Sequence, residues 1–243
     1  MQETKVAVTE TKCSHPLQTF LFSSIGKKIL TGLSGLGLIG FIIVHLLGNL
    51  TLFVPGSDAF NAYAHKLHSL GPLLTVAELG LLFIFILHIV SAIAVTKQNK
   101  QARPEKYQAP LTTKGAPSKQ TLSSKTMIIS GLILLAFVVL HVLMFRFWIF
   151  VGEEYHTMLQ GDRVENLHRL VKETFQSEGM VLLYCAAMIF LGFHLRHAFW
   201  SFFQSLGAYH PRYTPLIYSA GIFVAILLAL GFFALPIWMY VMY

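Results

Sequence analysis

"ILTGLSGLGLIGFIIVHLLGNLTLFV", residues 29–54, contains no Asp, Glu, Lys or Arg. A helix of ~20 apolar residues crosses a hydrocarbon core of ~30 Å, so this run is long enough to span a membrane. One residue breaks the pattern. His45 sits late in the run, where a lipid-facing helix carries Leu or Val. A ring nitrogen in hydrocarbon is costly unless it is hydrogen-bonded or bound to something.

Four more apolar runs follow, at about 73–96, 127–151, 179–203 and 215–241. Five spans leave no room for a soluble catalytic domain. The expected organisation is a polar tail over 1–26 and one transmembrane domain over 27–243. The composition agrees: 55% of residues are hydrophobic and 12% charged, far from the balance of a soluble domain. No short apolar core with a small-residue cleavage site precedes the first span, so no signal peptide is expected. Cys13 lies in the tail and Cys185 inside the fourth span. The two thiols are expected at different depths, with no disulfide, and there is no CxxC pair.

Charge sets the expected orientation. Of the 18 Lys and Arg, five lie on one side of a five-span bundle: Lys66, Arg146, Arg163, Arg169 and Lys172. The other thirteen lie on the side of the N-terminus. The positive-inside bias then puts the N-terminus in the cytoplasm and the C-terminus outside. The net charge of +7 is a topology signal on this view, and nucleic-acid binding is not expected.

Between the spans, Ser23 or Ser24 is positioned to cap the first helix, with Lys27 and Lys28 at the membrane surface. The spacing of Phe60, Tyr63, Ala64 and Leu67 predicts a short interfacial helix within 55–72. Residues 97–126 form a basic linker that is flexible or ordered against a partner. Residues 152–178 carry both signs of charge at helical spacing and predict a surface helix. Residues 204–215 form a tight turn. No internal repeat is expected.

Eleven histidines are present. Those in loops are expected to be solvated or capping. His45, His88, His141 and His194 differ, because each lies inside a different one of the first four spans. One such residue is explained by a bond to a backbone carbonyl, but four in four consecutive helices are not. Imidazole is a preferred axial ligand of haem iron. Depth sorts the four into pairs. His45 and His141 lie in the outer half, and His88 and His194 in the inner half. The levels are expected about 10 Å apart at 1.5 Å per residue. Two bis-histidine b haems satisfy all four rings. The expected fold is therefore an all-α membrane protein with five transmembrane helices, the first four forming a haem-binding bundle.

Neighbouring residues bear on the same sites. Gly37 and Gly48 fall near the His45 face and give either clearance for a flat macrocycle or close helix packing. His197 follows His194 by three residues, so spacing alone allows either as the inner ligand, and depth favours His194. His197 and Arg196 suit a haem propionate or a quinone oxygen. Asn49, His65 and Glu78 offer polar groups to a quinone on the outer side. Lys27, Ser34, Arg196 and His197 do so on the inner side. Interfacial anchoring competes at every one of these positions. Zinc fits less well, because no Cys or carboxylate converges at these depths.

"SSIGKKILTGLSGLGLIGFIIVHLLGNL", "AFNAYAHKL" and "GFHLRHAFWSFFQSLG" resemble the cytochrome b membrane-anchor subunit of succinate dehydrogenases and fumarate reductases, in the single-chain, five-helix, two-haem class. The similarity covers nearly all of residues 20–240. It implies one haem ligand from each of the first four helices, matching His45 and His141 on a distal haem and His88 and His194 on a proximal one. It implies a flavoprotein carrying FAD and an iron–sulfur subunit docked on the cytoplasmic face of a bacterial inner membrane. Electrons would cross to or from a quinone, usually menaquinone in this class. Some fumarate reductases of the family have a carboxylate two residues before the fourth ligand. Gly192 stands there in this chain, which favours succinate oxidation. Two alternatives stand beside this expectation. One is the dihaem quinone-reacting cytochrome b of another respiratory complex, although those commonly draw two ligands from one helix. The other is a haem-free structural anchor. A transporter would show internal repeats and broken helices.

Overall fold

The structure, a computed structural model, describes residues 18–20, 23–102, 126–148, 155–159, 161–208 and 210–243. Of the expected tail over 1–26 and linker over 97–126, residues 1–17, 21–22 and 103–125 lie outside the described residues.

Among the described residues five helices are long and apolar enough to cross a membrane, as a multi-pass membrane protein requires. They are α1 (Ser24–Asn49), α3 (Pro72–Gln101), α4 (Met127–Phe145), α6 (Glu178–Ser205) and α7 (Thr214–Met242). Ser23, in extended conformation, caps α1 by accepting from the Gly26 amide at 3.0 Å. A 3₁₀ turn, Leu50–Phe53, continues α1, and the short helix α2 (Asp58–His68) follows. α3 and α7 both start with a proline in the first turn, where its missing N–H costs nothing.

Two elements depart from the hydropathy reading. α4 ends at Phe145, although the apolar run continues through Phe147 and Trp148. Arg146 turns to pair with Glu78, and Trp148 takes a φ of 52°, which a helix cannot contain. The segment expected as one surface helix over 152–178 is mostly not helical. Strands β1 (His156–Leu159) and β2 (Asp162–Glu165) form an antiparallel hairpin, with His156 opposite Glu165. Gly161 turns it at a φ of 98°, a conformation that favours glycine. Helix α5 (Leu167–Phe175) follows, capped by the Asn166 side chain.

We call the end of the bundle where α1 begins the N-side and the opposite end the C-side. α1 packs along α3 and along α6, and α4 packs along α6. α3 and α4 share no comparable packing, so that edge of the four-helix arrangement is open. The helices on its two diagonals, α1 with α4 and α3 with α6, are also not in close backbone contact. α7 lies outside this group, on α6 and against α1. Its buried face, Gly221, Ala225, Leu228, Leu235 and Met239, repeats at helical spacing. α3 and α4 bury little. Phe83 is 67% exposed and Ile129 54%, and such apolar surface on a spanning helix faces hydrocarbon.

The C-side is covered by α2, α5 and the hairpin. Leu52, Phe60, Val171, Phe175 and Met239 join one apolar cluster there. Its polar pivot is Asn61, 1% exposed. Asn61 donates to Asn166 Oδ1 at 3.0 Å and accepts from the His168 amide at 3.0 Å, which ties α2 to the start of α5. His168, expected to be solvated or capping, is buried against the Tyr243 ring, and its Nε2 has no hydrogen-bond partner among the described residues. Burial, and then the Lys172 charge, pulls its pKa below the ordinary value.

Candidate functional site

The four span histidines come together two by two. On the C-side, the His45 and His141 rings have centroids 5.8 Å apart and planes at 86°. On the N-side, the His88 and His194 centroids are 6.3 Å apart with planes at 71°. Each pair spans one diagonal of the four-helix arrangement, so its two helices stay apart and only the side chains meet. His88 meets His194; no ring contact joins it to His197. The levels differ by more than hydropathy suggests. His88 contacts α1 at Ser34, eleven residues before His45, which is about 16 Å at 1.5 Å per residue.

Each ring has a definite seat. His88 Nδ1 lies 3.1 Å from the Thr31 carbonyl oxygen and 3.4 Å from Ser34 Oγ. His194 Nδ1 lies 3.1 Å from Ser130 Oγ. His141 Nδ1 lies 3.2 Å from the Tyr184 hydroxyl. Tyr184 is itself buried among Phe137, Phe145 and Phe175. His45 stacks on Phe41 and on Phe232 of α7. Asn49 turns back along its own helix to donate to the His45 carbonyl at 2.8 Å, and its amide nitrogen is 3.5 Å from His45 Nε2.

The donor set suits a metal centre with two imidazoles per level. A metal held between two imidazole nitrogens by bonds of about 2 Å separates the ring centroids by roughly 6 Å. Both pairs are near that distance, and the diagonal separation of their helices suits a planar group between them. Among the described residues no three His, Cys, Asp or Glu converge, so a closed tetrahedral donor set is not formed.

Several sequence-level assignments change. Gly48 lies against Tyr63, in line with the close-packing alternative: a Cβ there would fall 2.3 Å from the hydroxyl, so this glycine admits the Tyr63 ring. Gly37 faces Ile84, with a Cβ at 3.6 Å, an ordinary helix-packing contact. Arg196 turns to α7, where it hydrogen-bonds the Tyr218 hydroxyl and lies over that ring at 5.6 Å. Its neighbour His197 is half-buried. Glu78 accepts from both Arg146 Nε at 2.8 Å and Nη2 at 3.1 Å. Donating to the Glu78 carboxylate raises the Arg146 pKa. This bidentate pair joins the C-side ends of α3 and α4. His65 is exposed on α2. Lys27 lies in the first turns of α1, one turn before Thr31.

Other features were missed. Ser130, Tyr184 and Gly35 touch the paired rings and were not singled out. The signal that could have found two of them is an internal repeat. "SGLGLIGFIIVH" at 34–45 and "SGLILLAFVVLH" at 130–141 share Ser, Gly, Leu, Leu, Phe and His at the same six positions. The copies sit alike: Phe41 stacks on His45, and Phe137 stacks on His141.

Searches against protein-family models, curated proteins and solved structures find no match to this chain.

Proposed function

We propose that this chain is the dihaem cytochrome b membrane anchor of a succinate:quinone oxidoreductase. The observation that carries this reading is the pairing of four intramembrane imidazoles, one from each of four spans, across two diagonals at two levels. His45 and His141 would hold one haem b, and His88 and His194 the other. Haem b, when bound, supplies one-electron transfer between the partner iron–sulfur subunit and the quinone. The residues of this chain hold and orient the rings. Thr31, Ser34 and Ser130 seat the N-side pair, and Tyr184 and Phe41 the C-side pair. The apolar spans exclude water from both.

The assignment to succinate oxidation rests on the motifs at 23–50, 59–67 and 192–207 and on Gly192. Succinate would be oxidised on a flavoprotein partner bearing FAD. That partner and the iron–sulfur subunit would dock on the basic face at the N-terminal side, which the charge bias makes cytoplasmic in a bacterial inner membrane. Menaquinone is the proposed acceptor. Purification of the chain from its native membrane tests the assignment. Co-isolation of a flavoprotein and an iron–sulfur protein, with succinate:quinone activity and reduced-minus-oxidised b-type bands, supports it. A chain isolated with b-type bands but another set of partners would assign it to a different respiratory complex.

A further inference from the structure

The N-side rings are received by the same two-residue step on two helices. On α1 it is Ser34–Gly35, facing His88 of α3. On α4 it is Ser130–Gly131, facing His194 of α6. A Cβ on Gly35 would stand 3.2 Å from His88 Cε1, and one on Gly131 would stand 3.5 Å from His194 Cε1. The same ring edge therefore lies over a glycine in both cases. Ser34 and Ser130 are buried, at 5% and 2% exposure.

A serine hydroxyl has one proton to give. Ser130 Oγ gives its proton to the Met127 carbonyl at 3.0 Å. With that proton on the carbonyl, its oxygen is placed to accept from a proton on His194 Nδ1. Ser34 Oγ is committed in the same way, to the Leu30 carbonyl at 2.7 Å and the Thr31 carbonyl at 3.1 Å. His88 Nδ1 also faces the Thr31 carbonyl, which only accepts. This geometry fits both N-side rings in the Nδ1–H tautomer, which leaves the Nε2 lone pair free. The C-side differs. Among the described residues Tyr184 has no other hydrogen-bond partner, so its hydroxyl can either give to or take from His141 Nδ1.

We propose that the Ser34–Gly35 and Ser130–Gly131 steps are positioning elements that set the tautomer and electron-donating strength of the N-side imidazole pair. This rests on the dihaem reading of the same rings. An Nδ1–H that donates to a fixed acceptor makes the ring more basic at Nε2, which stabilises a bound ferric ion over a ferrous one. Removing the acceptor raises the reduction potential at that level. Ser130 is the sharper case, because His194 has no second acceptor, whereas His88 keeps the Thr31 carbonyl.

The test uses the full-length chain with Ser130→Ala, Ser34→Ala and Ser130→Thr. Redox titration and low-temperature electron paramagnetic resonance read the two haems separately. For Ser130→Ala the expected result is an upward shift of one midpoint potential and a changed low-spin signal for the same haem, with the other haem untouched. Ser34→Ala gives a smaller shift of that haem, and Ser130→Thr restores the wild-type values. Unchanged potentials and signals in a Ser130→Ala chain that holds two haems would overturn the proposal, as would a shift confined to the haem that His141→Ala removes. A second readout does not depend on haem. In the haem-free wild-type chain, ¹⁵N shifts of His88 and His194 are expected to report a proton on Nδ1, and a proton on Nε2 overturns the proposal. Absence of b-type bands from the wild-type chain, with Nδ1–H rings in the ¹⁵N spectrum, would refute the dihaem reading and leave the seating of the rings intact.

Discussion

Tyr184→Phe isolates one oxygen atom at the C-side pair. The Tyr184 ring is 7% exposed and meets Phe137, Phe145 and Phe175 edge-on, with centroids 4.9, 6.3 and 5.0 Å away. Phenylalanine keeps those contacts, so no packing penalty is expected. What is lost is the 3.2 Å hydrogen bond to His141 Nδ1, for which the structure offers no replacement. A buried polar group left without a partner costs about 1–3 kcal/mol. The variant should therefore unfold more easily by about that amount in mixed-micelle denaturant titration. A double-mutant cycle removes ambiguity about the source. In a His141→Leu background the tyrosine hydroxyl is itself the orphan, so its removal should cost nothing or stabilise slightly. The coupling between the two sites should be about 1–3 kcal/mol. Equal costs in both backgrounds would refute the hydrogen bond as the origin.

Other perturbations give distinct outcomes. Asn61→Ala leaves the His168 amide and Asn166 Oδ1 without their shared partner and should cost about 2–4 kcal/mol, read as protease cleavage near α2 or α5 at lower temperature. Gly48→Ala should push the Tyr63 ring off α1, seen as faster proteolysis of α2, while b-type absorbance stays unchanged, because the Cβ meets Tyr63 and not the ring pair. His168 has a folded pKa below the ordinary 6.5, so its buried neutral form favours folding less once the unfolded chain takes up a proton. Stability should fall as the pH drops below that value, and His168→Gln should flatten this part of the pH profile.

The parts legible in the sequence are those where one residue type contradicts its surroundings. A titratable ring in an apolar run is anomalous wherever it falls, so His45, His88, His141 and His194 stand out. Helix direction then sorts them by depth with no tertiary information. The seats of those rings were not legible. Serine and glycine are ordinary packing residues in spans, and Ser130 gains meaning only beside His194, 64 residues away. Glu78 and Arg146 each look like an interfacial anchor until a contact across 68 residues pairs them. The hairpin at 156–165 is hard to read because strands of four residues are too short to show a period-two pattern, and a single glycine, Gly161, marks its two-residue turn. The third span was drawn too long because hydropathy does not register the backbone turn at Trp148.

The central claim is that two imidazole pairs each hold one haem b, and the haem-to-chain ratio of the purified protein tests it most directly. Pyridine haemochrome analysis should give two haems b per chain, falling to one when His45 or His141 is changed to Ala and to the other one when His88 or His194 is changed. A wild-type chain without haem b, or a His45→Ala chain that loses the same haem as His88→Ala, would contradict the account.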